Sequence, residues 1–133
     1  KNLFVHDLTI SNRQDMIKII KLIRKDIKKL NKRGIVIVFC PHTTAGITIN
    51  ENTDSDVVRD LIYGFEKAYP TINKNYKHFE GNSHTHLKLL AIGASQYLIL
   101  SNGELILGSC QDVYFCEYDG SRKRKLYVKI ILD

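Results

Sequence analysis

Ile35-Val36-Ile37-Val38-Phe39-Cys40-Pro41-His42-Thr43-Thr44-Ala45-Gly46-Ile47-Thr48-Ile49-Asn50-Glu51-Asn52 carries both the architecture and the chemistry of this 133-residue chain. Its first five residues are apolar without alternation and mostly β-branched, which suits a strand covered on both faces. Pro41 has no N–H to give a ladder and ends that strand. From Gly46 to Glu51 the pattern alternates, Ile47 and Ile49 one way, Thr48 and Asn50 the other, so a second strand follows. His42 lies between the two. Core packing gives no reason for His, Asn and Glu to gather at the end of a buried strand.

Upstream, Leu3 to Thr9 alternates as a strand. Ser11 reads as an N-cap, with Gln14 completing a capping box. Met16, Ile19, Ile20, Ile23, Ile27 and Leu30 then recur at helical spacing, with lysines on the opposite side and Gly34 as the stop. Downstream, Thr53 reads as an N-cap before a second amphipathic helix that ends near Tyr69-Pro70. A polar loop from Thr71 to Ser83 leads to a short helix closed by Gly93. The last third is β: a hairpin through Ser101-Asn102-Gly103, a strand over Cys110 to Tyr118, a turn at Asp119-Gly120, and a closing strand over Leu126 to Leu132. The expectation is one domain over residues 1–133. Its class is α+β and β-rich, an antiparallel β-sandwich with two or three helices packed outside.

Twenty basic and fourteen acidic residues give a net charge of +6. Such a balance suits a phosphate-bearing ligand. The basic helix lacks interleaved aromatics and no reading module is present, so nucleic acid is not expected as a partner. No apolar run reaches about 18 residues, which argues against a spanning helix. The start shows no secretory pattern, and three cysteines at unmatched spacings argue for a reducing compartment. The expected location is cytoplasmic. All three cysteines read as buried small hydrophobes.

Four of the five histidines fall in two stretches, His42 and His78 to His86. Imidazole is the commonest metal ligand, and three nitrogens with an open position fit a catalytic divalent site, zinc by default; the expected cofactor is a divalent metal, zinc or magnesium. The metal-free alternative is one histidine as general acid or base. Thr43 and Thr44 offer hydroxyls and backbone donors to an anion. Arg122, Lys123 and Arg124 read equally as edge-strand gatekeepers and as a phosphate cradle.

Three motifs resemble a known family. His42 to Asn52 with Asp54, His78 to Lys88, and Gly103 to Gln111 with Glu117, Asp119-Gly120 and Arg122 are similar to the YjbQ-like uncharacterised protein family 0047. The likeness departs at Cys110, where the family commonly has Trp, and at Ser121, where it often has Pro. The resemblance implies a β-rich sandwich assembled as a homotrimer. It also implies a thiamine-phosphate synthase activity, joining a pyrimidine pyrophosphate to a thiazole phosphate. On that reading His42, His78 and His86 form the metal or acid–base set, with His84 the lesser candidate. Glu51 and Asn52 orient them, and Thr43, Thr44, Arg122 and Lys123 meet a small phosphorylated molecule. The alternatives are a metal-dependent hydrolase and a non-enzymatic metal-binding trimer.

Overall fold

The computed structural model describes residues 2–133. Among them lie eight strands in two antiparallel sheets, with three helices. In chain order they are β1 (Leu3–Ile10), β2 (Asp15–Lys18), α1 (Ile20–Ile27), β3 (Gly34–Phe39), β4 (Ala45–Glu51), α2 (Ser55–Ala68), α3 (Ser83–Ile92), β5 (Ser95–Ser101), β6 (Glu104–Ile106), β7 (Gln111–Glu117) and β8 (Arg122–Leu132). One sheet has five strands in the order β1-β8-β3-β5-β6. The other has three, in the order β2-β7-β4.

The core lies between the inner faces of the sheets. Val36 and Val38 of β3, Leu126, Val128 and Ile130 of β8, Ile47 of β4, and Val113 and Phe115 of β7 are all buried there. α1 joins it through Ile20, Ile23 and Ile27. His6 on β1 pairs with Asp26 of α1 at 2.6 Å and holds that helix to the large sheet. α2 and α3 pack on the far side of the small sheet, where Tyr114, Cys116 and Tyr118 form a second apolar cluster.

Several expectations are corrected. The stripe beginning at Met16 is not one helix. Asp15 to Lys18 pairs with β7, Met16 opposite Cys116 and Ile17 opposite Phe115. Over four residues a helical stripe also satisfies a strand covered on both faces, and sheet pairing decides between them. The helix leaves at Lys28, and Lys29 takes φ 74°. Gly34 does not cap it; Gly34 opens β3 and pairs with Leu100 and Leu132. β3 is covered on one face only: Val36 and Val38 are buried, whereas Ile35 and Phe39 are 46% and 43% exposed. Asp54, not Thr53, caps α2, accepting from the Asp56 N–H at 2.9 Å. Of the cysteines, Cys40 and Cys116 are buried and Cys110 is exposed. The Asn102-Gly103 turn forms as expected, with φ 52° and 78°.

Gly46 fixes how α3 sits. A Cβ there would lie 2.5 Å from the Gly93 carbonyl oxygen and 2.8 Å from Ile92 Cδ1. The Ile47 N–H also donates to Gly93 O, at 3.2 Å. The missing side chain therefore lets the end of α3 rest on β4. Gly46→Ala is expected to destabilise the fold by about 1–3 kcal/mol through overpacking. Urea denaturation should show a lower midpoint at unchanged slope.

Candidate functional site

A polar cleft of about 330 Å³ opens where three connections meet. The β3–β4 loop supplies His42, Thr43 and Thr44; the loop into α3 supplies Glu80 and Asn82, with His86 from its first turn; the β7–β8 turn and the start of β8 supply Asp119, Arg122 and Arg124. Strand alternation explains the last pair. Arg122 and Arg124 share the inner face of β8, where that strand runs past the apolar core. Lys123 points the other way and lines a separate groove with Thr9 and Ser11.

Beneath the cleft is a buried ion pair. Arg124 Nε donates to Glu117 Oε1 at 2.7 Å, and Arg124 Nη2 donates to Glu117 Oε2 at 2.5 Å and to Thr44 Oγ1 at 2.7 Å. The arginine side chain is 5% exposed and the glutamate is fully buried. Glu117 Oε2 also accepts the Asp119 N–H at 2.9 Å. Loss of one partner from such a pair typically costs about 3–5 kcal/mol, because a charge is left alone out of water.

Asp119 organises the next layer. Its Oδ2 accepts from Asn82 Nδ2 at 2.8 Å and Arg122 Nη2 at 2.9 Å, and its carbonyl accepts from Arg122 Nε at 2.8 Å. Burial alone would push the Asp119 carboxyl up. The bonds from Asn82 and Arg122 and the charges of Arg122 and Arg124 override it and hold the pKa below the usual value. Asn82 Oδ1 is buried and without a partner among the described residues.

His42 is held by backbone. Its Nε2 accepts the Lys125 N–H at 2.9 Å, so the neutral ring carries its proton on Nδ1. Burial lowers its pKa below the ordinary histidine value, and the nearby Arg124 charge lowers it further. His86 shares the cleft, and its ring lies 5.6 Å from that of His78. His78 pairs with Glu80 at 2.9 Å. His84 turns away into the protein. It is 1% exposed, and its Nδ1 accepts from the buried Lys88 Nζ at 2.8 Å. Lys88 Nζ also donates to Glu66 Oε1 at 2.8 Å, tying α3 to α2.

The expected metal centre does not form. Among the described residues no three His, Cys, Asp or Glu side chains are grouped to hold an ion. The reasons are local: His42 Nε2 is spent on a backbone N–H, His78 Nε2 on Glu80 and His84 Nδ1 on Lys88. These residues do not fit a divalent cofactor, zinc or magnesium.

Glu51 and Asn52 do not reach the cleft. Glu51 ends β4 and Asn52 follows it, and the six residue steps from Glu51 back to Ala45 span roughly 20 Å. Glu51 accepts from Thr53 N and its hydroxyl, and the Glu51 carbonyl accepts from Tyr114 OH at 2.5 Å. Asn52 Nδ2 donates to Gln111 O at 3.1 Å. Both fasten β4 to β7 and to the start of α2. The cleft thus gathers His42, Thr43, Thr44, His86 and Arg122 from the expected set, with His78 at one edge. The sequence places Glu117 in the third motif without a role and offers Arg124 only as one of three basic residues that read equally as gatekeepers and as a phosphate cradle; it does not pair the two. The signal available was a lone Glu in the apolar strand of β7, facing an arginine on the next strand.

The sequence profile described as "UPF0047 protein YjbQ-like" matches residues 5–133. The chain belongs to that family. It is 43% identical to the UPF0047 protein YugU of Bacillus subtilis over 122 residues, 91% of this chain and 92% of that one. It is 42% identical to the UPF0047 protein MJ1081 of Methanocaldococcus jannaschii, covering 100% of this chain and 96% of the relative. A crystal structure of a YjbQ/UPF0047 family protein from Clostridium acetobutylicum, titled uncharacterized and conserved, superposes with a TM-score of 0.93 at 48% identity, covering 96% and 99% of the two chains. The family and the fold stand as expected. The thiamine-phosphate synthase expectation does not: the family description and these relatives name no such activity, and the metal group invoked for it is not formed. The metal-dependent hydrolase and the metal-binding trimer fall with that centre.

The two depressed histidines set the acid sensitivity. His42 and His84 both fold with pKa values below 6.5, burial being the first cause for each and the Arg124 and Lys88 charges respectively the second. Below 6.5 the unfolded chain binds protons that the folded chain refuses, so stability is full above that pH and declines as pH falls. Glu66 is held at about 2. Burial acts to raise it, but bonds from Lys88 and Thr71 override, so its contribution is lost only in stronger acid, below its ordinary 4.5. Urea midpoints measured against pH should begin to fall near pH 6.5. His84→Gln should flatten that first decline.

Proposed function

We propose that the cleft binds a small phosphorylated molecule without a metal, with His42 donating a hydrogen bond to the bound ligand. The observation that carries this is the pair of arginines on one strand face. Arg124 is fixed by the Glu117 carboxylate through Nε and Nη2, Arg122 by the Asp119 carbonyl through Nε and the Asp119 carboxylate through Nη2, and among the described residues neither Nη1 meets a protein acceptor. Guanidinium groups held in place lose little freedom on meeting phosphate oxygens. Thr43 lies beside them, and the His42 Nδ1–H is the proton-bearing group on the same wall. A neutral imidazole whose other nitrogen already accepts a bond keeps this proton and offers it as a hydrogen bond to an anionic ligand oxygen. Lys123 lies on the opposite face of β8 and serves as surface charge near the site rather than as a ligand group.

Titration calorimetry in EDTA with inorganic phosphate and with a phosphate monoester tests this. Arg122→Gln should weaken binding by about tenfold or more, the loss of a charge-assisted bond, whereas Lys123→Gln should leave it nearly unchanged. Loss of wild-type binding in EDTA, or indifference to Arg122→Gln, would overturn the proposal.

A homotrimer is part of the same reading. The outer face of the five-stranded sheet supports it, for Val5, Ile35, Phe39, Tyr97, Ile99 and Ile131 are each at least 43% exposed there. In the ladder Ile35 stands between Ile99 and Ile131, which makes the patch continuous. A contiguous apolar face of this kind marks an association surface. Sedimentation equilibrium should give three times the 15.3 kDa chain mass. The Tyr97→Asp/Ile99→Asp double variant should sediment as a monomer. A reducing, cytoplasmic location agrees with three free cysteines. No helix of the described residues is long and apolar enough to cross a membrane.

A further inference from the structure

A second cavity lies on the other side of β7, between α2 and the small sheet, and nothing in the cleft uses it. Its volume is about 170 Å³, and its walls are almost wholly apolar. The register explains why it exists. Across the middle of the small sheet's outer face, Met16, Cys116 and Gly46 stand in one row. Two of these three are small, and α3 fills only the space over Gly46. α2 lies over the rest, and none of its residues is fully buried, although Leu61, Ile62 and Phe65 face the sheet.

α2 is prevented from sinking into the gap. Asp54 caps its first turn. Near its other end Glu66 is tied to the buried Lys88 at 2.8 Å and to Thr71 through both carboxylate oxygens. Phe65 rests on Tyr118, with ring centroids 5.9 Å apart. The helix is therefore a span supported at its start and near its end, over a floor with small residues in the middle.

Two polar groups enter an otherwise oily wall, Thr48 and Asn50 of β4. Asn50 Oδ1 already accepts the Glu51 N–H at 2.8 Å. Among the described residues neither Asn50 Nδ2 nor Thr48 Oγ1 has a protein partner. An apolar cavity of about 150 Å³ is enough to hold benzene. The geometry points to a binding site for a single-ring aromatic compound carrying one hydroxyl or carbonyl group. The ring fills the space over Cys116, against Met16, Ile62 and Ile92. The polar substituent meets Thr48 Oγ1 and Asn50 Nδ2, which supply donors that water would otherwise satisfy.

This site is independent of the phosphate cleft, and its test uses different probes. Methyl resonances of Met16, Leu61, Ile62 and Ile92 are followed by NMR while benzene or phenol is added to the full chain. Saturable shifts confined to these methyls are expected with both probes, with phenol binding at least about threefold more tightly because of its hydrogen bond. Thr48→Val should bring phenol close to benzene and leave benzene as it was. Ile62→Phe puts a ring into the space and should abolish both titrations while the circular dichroism melt is kept or raised. Should that variant fail to fold, Leu61→Phe gives the same readout from the same helix face. Absence of saturable shifts in the wild type would overturn the site. Phenol no tighter than benzene would overturn the assigned polar substituent, and undiminished binding in a folded filling variant would overturn the location.

Discussion

The Arg124–Glu117 pair is the constraint on which the site is built. It joins β8 to β7 at the point where the two sheets stop sharing an apolar core, and through Thr44 it draws in the β3–β4 loop. Two opposite charges this far from water are tolerable only if nearly every donor and acceptor is matched. Glu117 meets that demand by accepting Asp119 N as well as the guanidinium. The matching fixes where Asp119 stands, and Asp119 in turn fixes Arg122 and Asn82. The cleft is therefore an outward extension of a buried polar contact, each layer positioned by the one beneath.

β7 separates two kinds of chemistry by alternation alone. Its inward residues pass from Val113 and Phe115 to Glu117, from oil to charge. Its outward residues, Tyr114 and Cys116, continue to Tyr118 as one wall of the apolar space under α2. Tyr118 and Asp119, adjacent in the chain, face the oily cavity and the polar cleft respectively. A slip of one residue in this strand would exchange the two environments, so its register is strongly specified.

Much of this was legible in the sequence, and the exceptions have causes. Alternation and turn chemistry located β1, β4, β7 and the Asn102-Gly103 hairpin because those signals are local. The strand at Asp15 to Lys18 was hidden because four residues cannot separate a helical stripe from a strand with both faces covered. For the site, the loop bearing His42 was recognisable by its residues: a proline-ended strand followed by His-Thr-Thr. Proximity in sequence misled for Glu51 and Asn52, since an extended strand carries its two ends far apart. His84, the lesser candidate of its stretch, is turned by the helix to a different side from His86. Arg124 and Glu117 were recoverable as a pair only by stacking β8 of one sheet over β7 of the other, which no local pattern gives.

Lys88 has a consequence of its own. Lysine is normally the most solvated of side chains, and here its ammonium is sealed between Glu66 and His84 with the Tyr118 ring 5.9 Å away. An amine-acylating reagent added to the native protein will label the exposed lysines and pass this one by. It can react only when the contacts that seal it between α2, α3 and the small sheet open. The rate at which Lys88 becomes acylated is then a clock for that opening, set by the chain itself and needing no added probe.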